Sequence, residues 1–256
     1  MKILAIGDVT SPKGAEHLEK NLWKVRGEYG IDFCIVNGEN ASLISSISKD
    51  AAESLLLSGA DVITGGNHSL QNKAAYSFMD DAEAVLRPVN FGDGAPGRGW
   101  GIFDGAGYKI LVINAMGNVH IEPNLDSPFR YIDAVLKENE GKYDFSVLDF
   151  HAEATGEKYA VAHEFDGRIN AIFGTHTHVQ TADEQILPCG TGYITDVGMC
   201  GESGGILGIE KNTIIYRMKN HLPSKFIAAC GEPVANGVIF DIGIDGICKS
   251  VARISF

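Results

Sequence analysis

The stretch Gly174-Thr175-His176-Thr177-His178 carries the strongest indication of both fold and chemistry in this chain. It follows Ile169–Phe173, a short apolar run with the length and branching of a buried strand. In extended chain, side chains at positions i and i+2 point to the same side. Because neutral imidazole is the commonest protein metal ligand near neutral pH, the pair favours a metal site. The alternative is two surface histidines bonded to the backbone, and the pair alone does not decide between them.

Composition is typical of one large α/β domain over residues 1–256. Hydrophobic residues make up 45% of the chain and mean hydropathy is near zero, whereas no apolar run is long enough to span a bilayer. The start, Met1–Ile6, resembles a strand rather than a signal peptide, so we expect a cytoplasmic protein. The five cysteines are odd in number and lack Cys-x-x-Cys spacing, which argues against a disulfide framework or a cysteine zinc site.

The net charge of −12 limits the partners. Long duplex nucleic acid is disfavoured, because binding to its phosphates requires a basic surface. A small anionic substrate such as a nucleotide or phosphodiester remains compatible if metal ions supply local positive charge. No membrane partner is expected, and a homo-oligomer is left open.

Alternating apolar runs and amphipathic segments predict an α/β fold, with a β-rich end. The predicted strands are Lys2–Ile6, Phe33–Val36, Val62–Ile63, Tyr108–Asn114, Phe145–Phe150, Ile169–Phe173 and Tyr193–Thr195. The predicted helices are Ala15–Tyr29, Lys49–Ser58, Asn72–Leu86, Ser127–Glu140 and Gly156–Phe165. Ser42–Ser48 is predicted to be a loop, and Phe91–Gly107 a loop with short edge strands. From Thr213 onward the pattern predicts strands and tight turns, notably Asp245-Gly246 between Val238–Ile244 and Ile247–Ile254.

Strand after strand ends in a polar side chain that could bind a metal. These residues are Asp8, Glu39, Asn40, Asn67, His68, His151, His176 and His178. Any one of them has a simple structural explanation, such as a helix cap, but five strand ends agreeing by chance is much less probable. In α/β sheets, ligands bind beyond the carboxyl ends of the strands. The sequence therefore predicts a metal site at those ends.

The inventory of donors exceeds what one ion needs. It fits a pair of ions about 3.5–4 Å apart that share a carboxylate. Nitrogen and oxygen ligands without thiolate suit transition metals such as iron, manganese or zinc rather than magnesium or calcium.

Five motifs together resemble those of the calcineurin-like metallophosphoesterases. They are Gly7-Asp8, Asn37-Gly38-Glu39-Asn40, Gly66-Asn67-His68, Asp149-Phe150-His151-Ala152-Glu153 and Gly174–Asp183. Arg87–Phe91, Asp126–Arg130 and Ile194–Met199 add a resemblance to the bacterial YmdB-like group, described as 2′,3′-cyclic-nucleotide 2′-phosphodiesterases. The resemblance extends to about Glu210.

The resemblance implies a four-layer α/β/β/α sandwich and a dinuclear centre. One ion would take Asp8, Glu39, Asn40 and His178. The other would take Glu39, Asn67, His151 and His176, so that Glu39 bridges the two. His68 would be the catalytic imidazole. Two transition-metal ions, divalent or trivalent, are implied, with iron favoured and manganese or zinc as alternatives.

The sequence departs from the family patterns at two places. Most of the superfamily has a histidine where this chain has Thr10, and Asn40 is expected to replace it. The subgroup's glycine-rich His-Gly-Lys-Gly loop is replaced by Ser42-Leu43-Ile44-Ser45-Ser46, which leaves substrate contacts at that rim undetermined.

The function predicted from the sequence is a metal-dependent phosphodiesterase. Metal-bound hydroxide would open the 2′ bond of 2′,3′-cyclic nucleotides and yield 3′-nucleotides. An amidohydrolase also uses His-x-His and paired metals, but there the pair belongs to the first strand of a barrel. A third alternative is a catalytically slow regulatory protein that keeps the phosphoesterase fold and binds a nucleotide.

Overall fold

Two β-sheets packed face to face form the middle of the molecule. In the computed structural model, the described residues, 1–42 and 46–256, form thirteen strands: β1 Lys2–Ile6, β2 Asp8–Val9, β3 Phe33–Asn37, β4 Val62–Thr64, β5 Trp100–Gly105, β6 Tyr108–Met116, β7 Phe145–His151, β8 Ala171–Thr175, β9 Gln185–Ile186, β10 Gly192–Ile194, β11 Met199–Glu202, β12 Pro233–Ile242 and β13 Cys248–Ser255. The same residues form six α-helices: α1 Pro12–Tyr29, α2 Lys49–Leu57, α3 Tyr76–Met79, α4 Pro128–Glu138, α5 Thr155–Glu164 and α6 Lys211–Asn220.

Each sheet contains a run of parallel strands. The first sheet has the order β2-β11-β12-β1-β3-β4, with β13 added on β12, and β1, β3 and β4 are parallel. The second sheet has the order β5-β6-β7-β8-β10-β9, with β6, β7, β8 and β10 parallel. Crossovers between parallel strands bring successive carboxyl ends to one edge of each sheet.

Alternation along β1 shows how four layers arise. Ile3 and Ala5 face the second sheet, where they pack in one cluster with residues such as Val147 of β7. Leu4 and Ile6 point the other way, into a cluster with α1. On the far side, α4 and α5 pack against the outer face of the second sheet. These layers confirm the predicted α/β/β/α sandwich, and they are incompatible with the barrel that the amidohydrolase alternative requires.

Most predicted helices are confirmed to within a few residues at their ends. α1 begins three residues earlier than predicted because the Ser11 hydroxyl accepts the Gly14 N–H at 3.1 Å, a helix cap. The helix predicted over Asn72–Leu86 is wrong beyond Met79. Its last residues join the edge of the first sheet instead, where the Leu86 N–H donates to the Ile63 carbonyl at 2.8 Å.

The strands predicted directly after Thr213 are also wrong. Residues there form α6, since the Glu210 carboxylate caps the N–H groups of Asn212 and Thr213 at 2.9 and 2.7 Å. The hairpin around Asp245-Gly246 is confirmed as β12 and β13. The loop predicted over Ser42–Ser48 lies partly outside the described residues. Within the described parts of the chain, no helix is both long and apolar enough to cross a bilayer.

Candidate metal centre

Carboxyl ends of strands from both sheets bring the predicted ligands together. Asp8 and Glu39 come from the first sheet, and both are fully buried. His151 is the last residue of β7 in the second sheet, and His176 follows β8 directly. The Asp8 carboxylate accepts the backbone N–H of His176 at 3.1 Å, so the two sheets meet at this point.

The His151 ring is the centre of the tightest group. Its Nε2 lies 3.0 Å from Asn67 Oδ1, 3.1 Å from His176 Nδ1 and 3.4 Å from Glu39 Oε1. Among the described residues, Glu39, His151 and His176 form a cluster that could hold a metal ion, with their ligand atoms within 4.8 Å of one another. Together with Asn67, these three side chains are the set that the resemblance assigns to one ion.

A second group lies on the Asp8 side. His178 Nε2 is 3.7 Å from Asp8 Oδ1, and the His178 Nδ1–H donates to the Leu207 carbonyl at 3.3 Å. That bond turns Nε2 toward the centre. Asp8 Oδ1 has no hydrogen-bond partner although it is completely buried. A buried charged oxygen without a partner is costly, so this atom fits a role as a metal ligand.

His68 and Asn40 sit together against the bridging position. His68 Nδ1 lies 3.0 Å from Asn40 Oδ1 and 3.2 Å from Glu39 Oε1. The Asn40 amide donates to Glu39 Oε1 at 2.9 Å. His68 therefore contacts the centre through side chains that are themselves predicted ligands, while about a third of its own side chain stays exposed.

The extended geometry predicted for the two histidines after β8 is wrong. His176 and His178 have φ angles of 97° and 63°, in the left-handed region that side-chain-bearing residues seldom occupy. The Asp196 carboxylate holds this turn, accepting the Thr177 N–H at 3.1 Å and its hydroxyl at 2.7 Å. The histidines thus meet the centre through a strained turn.

A buried lysine supports the same turn from beneath. The Lys158 ammonium of α5, with 1% of its side chain exposed, donates to Asp196 at 2.7 Å and to the Thr175 carbonyl at 2.9 Å. Neither Lys158 nor Asp196 was predicted from the sequence to have a role. The only signal was the Thr-Asp-Val-Gly motif at 195–198.

A hydrogen-bond chain behind His151 fixes its ring. The His151 Nδ1–H donates to the Thr175 hydroxyl at 2.9 Å, and that hydroxyl donates to Asp149 at 2.7 Å. Thr64 and Asn37 donate to the other Asp149 oxygen at 2.5 and 3.0 Å. This network sets the tautomer that leaves Nε2 free to bind a metal. Asp149 lies within one of the five sequence motifs, but no role was predicted for it.

His176 is oriented by a different partner. Its Nε2 lies 3.2 Å from the Glu153 carboxylate, and its Nδ1 lies 3.1 Å from His151 Nε2. Nitrogens this close are joined by a proton, which a metal ion would replace on binding. Gly66 completes the fit, because a Cβ there would overlap the Glu39 carboxylate and His151 Nε2. The donor set therefore fits metal ions.

The pKa values show how strongly the centre attracts positive charge. Burial alone would lower the pKa of His151, but the carboxylates of Glu39 and Asp8 outweigh it and raise that pKa to about 9. Burial, together with the neighbouring His151, lowers the pKa of His176 to about 4. Burial opposes ionisation of Glu39, yet His151 and His68 hold its pKa well below the usual range. The Glu39 carboxylate therefore stays ionised in a buried site.

Two sheets whose strand ends join acidic and imidazole ligands in this way place the chain in the metallophosphoesterase class of folds. A family model described as YmdB-like protein matches residues 4–254. The chain therefore belongs to the YmdB-like family.

Three similar proteins extend this result. A Bacillus subtilis protein named 2′,3′-cyclic-nucleotide 2′-phosphodiesterase is 44% identical over 94% of this chain and 91% of its own length. The crystal structure of a hypothetical protein from Thermus thermophilus, 36% identical, superimposes with a TM-score of 0.93 over 100% of this chain and 99% of that one. The crystal structure of a Mycoplasma pneumoniae protein described as a novel phosphatase is 32% identical in sequence. It superimposes with a TM-score of 0.92 over 100% of this chain and 93% of that one.

Proposed function

We propose that this protein is a dinuclear metal-dependent phosphodiesterase that hydrolyses nucleoside 2′,3′-cyclic phosphates to 3′-nucleotides. The observation that carries the proposal is the group of Glu39, Asn67, His151 and His176, in which Glu39 and His151 are buried and acceptor atoms converge within 3.4 Å of His151 Nε2. The substrate class comes from the Bacillus subtilis relative, whose name specifies a 2′,3′-cyclic-nucleotide 2′-phosphodiesterase.

The proposed ligand sets follow from the two groups in the centre. Asp8, His178, Asn40 and Glu39 would hold one ion, and Glu39, Asn67, His151 and His176 the other. Metal ions bound there would neutralise the phosphate oxygens and make water a nucleophile near neutral pH. Iron is the favoured metal, with manganese or zinc as alternatives, because all these ligands are nitrogen or oxygen.

His68 is proposed as the general acid. Its Nδ1 is engaged by Asn40 Oδ1 at 3.0 Å, which leaves Nε2 to act on the substrate. When water adds to phosphorus and the bond to the 2′ oxygen breaks, a proton from Nε2 would go to that oxygen. The phosphate then stays on the 3′ oxygen, so the product is a 3′-nucleotide.

The lysine beneath the turn and the network behind His151 would act indirectly. They hold ligands in place and do not touch the substrate. Positioning of this kind lowers the cost of assembling the site when metal and substrate bind. The regulatory alternative keeps the same centre and differs only in turnover.

The test is an activity screen of the metal-loaded chain. Protein loaded separately with iron, manganese or zinc is incubated with nucleoside 2′,3′-cyclic phosphates, a linear dinucleotide and bis(p-nitrophenyl) phosphate, and the products are separated by chromatography. We expect 3′-nucleotides from the cyclic substrates and no turnover after chelation. Exclusive formation of 2′-nucleotides would contradict the proposed bond cleavage, and tight nucleotide binding without turnover would establish the regulatory alternative.

A further inference from the structure

A cavity of about 290 Å³ opens beside the metal centre. Its lining residues are Asn67, Leu70, Gln71, Phe91, Glu122 and Pro123. Asn67 belongs to both places, because its Oδ1 is 3.0 Å from His151 Nε2. When the phosphate of a substrate lies on the metals, the rest of the substrate can therefore reach this cavity. Apart from Asn67, none of the lining residues has a role in the centre itself.

Hydrogen bonds among loops hold the cavity walls in place. Buried Asn90, next to Phe91, donates to the carbonyls of Met116 and Asp126 at 2.8 and 3.1 Å, and accepts the Met116 N–H at 3.0 Å. These bonds tie the Phe91 segment to the loop that carries Glu122. On the opposite wall, the Gln71 N–H donates to the His68 carbonyl at 3.1 Å. The cavity is thus largely preformed, as ligand pockets usually are.

The lining combines an aromatic face with few polar groups. Phe91, Leu70 and Pro123 supply apolar surface, whereas Gln71 and Glu122 supply an amide and a carboxylate. Flat aromatic ligands stack on such a ring, and nucleobases do so with little dependence on their identity. An amide and a carboxylate at the rim can bond to base edges or to sugar hydroxyls.

The charge of the cavity disfavours a second phosphate. None of its six lining residues is basic, and Glu122 is the only one that carries a charge. A neutral part of the ligand is therefore favoured in the cavity over an anionic one. A nucleoside with a free 5′ hydroxyl meets this condition, whereas a 5′-phosphorylated end would face the Glu122 carboxylate.

We propose that this cavity is the nucleoside subsite, in which the base stacks on Phe91 while the cyclic phosphate lies on the metal centre. The preferred substrate is accordingly a mononucleoside 2′,3′-cyclic phosphate without a 5′ phosphate. This inference rests on the proposed phosphodiesterase function for its kinetics, but the subsite can also be tested by binding alone.

The decisive variant is Phe91→Leu, which keeps apolar volume and removes the aromatic face. With adenosine 2′,3′-cyclic phosphate, KM should rise about 5–100-fold, the range expected for losing one base–aromatic stack, with kcat little changed. With the cyclic phosphate of methyl ribofuranoside, which has the same reacting bonds and no base, neither constant should change. Metal content is measured on the same preparations.

Tyr108→Leu is the matched control. Tyr108 is an exposed aromatic residue at the amino end of β6, the strand whose carboxyl end, at Met116, lies near the cavity. Unchanged constants are expected for this variant. If Phe91→Leu raises KM equally for both substrates, or for neither, the proposal is overturned.

Glu122→Gln tests the charge argument. The variant should improve kcat/KM for 5′-phosphoadenosine 2′,3′-cyclic phosphate by about fivefold, as expected for removing one like charge near the surface. Adenosine 2′,3′-cyclic phosphate should gain little. An equal effect on the two substrates would show that the second phosphate does not approach Glu122.

Equilibrium binding separates failure of the subsite from failure of the proposed function. Calorimetry with adenosine 3′-monophosphate needs no turnover. If the wild-type protein hydrolyses no cyclic nucleotide but still binds this ligand, and Phe91→Leu weakens binding about 5–100-fold, the subsite stands and the phosphodiesterase function falls. Equal affinity in wild type and variant would refute the subsite whatever the activity.

Discussion

His68 is the residue whose role differs most from that of its neighbours. Asn67 points at His151, whereas the His68 ring turns to Asn40 and Glu39 and keeps about a third of its surface exposed. The two side chains diverge because both residues lie in the turn that follows β4. An imidazole with one free nitrogen beside the metal ligands is suited to proton transfer.

We expect His68→Ala to lower kcat about 10²–10⁴-fold while metal content stays nearly unchanged, since proton donation is lost and coordination is not. A substrate with a nitrophenolate leaving group should lose less, because that group needs little protonation. Both rates and the metal content are measured on one preparation, with His163→Ala as the control from the exposed end of α5. Loss of an ion in His68→Ala would make His68 a ligand.

Glu39 is the predicted bridge between the two groups of ligands. Its Oε1 contacts the side chains of His151, His68 and Asn40. Its Oε2 accepts a hydrogen bond from the backbone N–H of His68. Glu39→Gln keeps the shape and removes the charge, so both ions should bind more weakly and activity should fall far more than in Glu53→Gln, an exposed residue of α2. Parallel kinetics at saturating metal decide the matter. Near-normal turnover of Glu39→Gln would refute the bridging role.

At the scale of single elements, the turn after β8 depends on the Lys158–Asp196 pair. Removing one partner of a buried ion pair leaves the other charge uncompensated, which commonly costs about 3–5 kcal/mol. Lys158→Met should therefore lower the free energy of unfolding by about that much and also weaken metal binding, because His176 and His178 lose their support. Denaturant unfolding and metal titration measure the two effects.

Two further variants make this test specific. Lys158→Met with Asp196→Asn removes both charges and should recover part of the lost stability. Lys249→Met breaks an exposed pair with Asp245 at 2.7 Å and should leave stability unchanged. If Lys158→Met is as stable as the wild type, the turn does not depend on the pair.

Elements with regular patterns could be predicted from the sequence, and elements decided by tertiary contacts could not. The apolar strands and α1 follow directly from periodicity. α6 has no buried residue, so no apolar face marked it as a helix, and only the Glu210 cap reveals its start. The candidate ligands could be predicted because they follow strands, whereas nothing in the sequence distinguishes Lys158 from an ordinary surface residue of α5.

At the scale of the whole molecule, α6 and the segment after it expose an unusual amount of apolar surface. Met218 is 72% exposed, and Phe226 and Ile227 are more than half exposed. The Arg217 guanidinium lies 4.4 Å from the Phe226 ring, which places the helix and the following segment side by side. Large exposed apolar side chains grouped on two adjacent segments are typical of an interaction surface.

Charge favours a second copy of this chain as the partner. Residues 211–230 contain four basic and no acidic residues, whereas the chain as a whole carries −12. We predict a homo-oligomer that Met218→Glu weakens, measured by sedimentation velocity over a range of concentrations. Ile244→Glu, at a position 90% exposed in the β12–β13 turn, is the control and should not change the assembly. A wild-type monomer at high concentration would refute this prediction.

The central claim is that the two sheets share one centre that holds two ions. Elemental analysis of the metal-loaded chain, combined with titration of activity against added metal, tests it most directly. The account predicts about two ions per chain, with activity appearing as the second ion binds, because the donors of Asp8, Glu39, Asn67, His151, His176 and His178 exceed the needs of one ion. Full activity with a single ion per chain at saturating metal would contradict it.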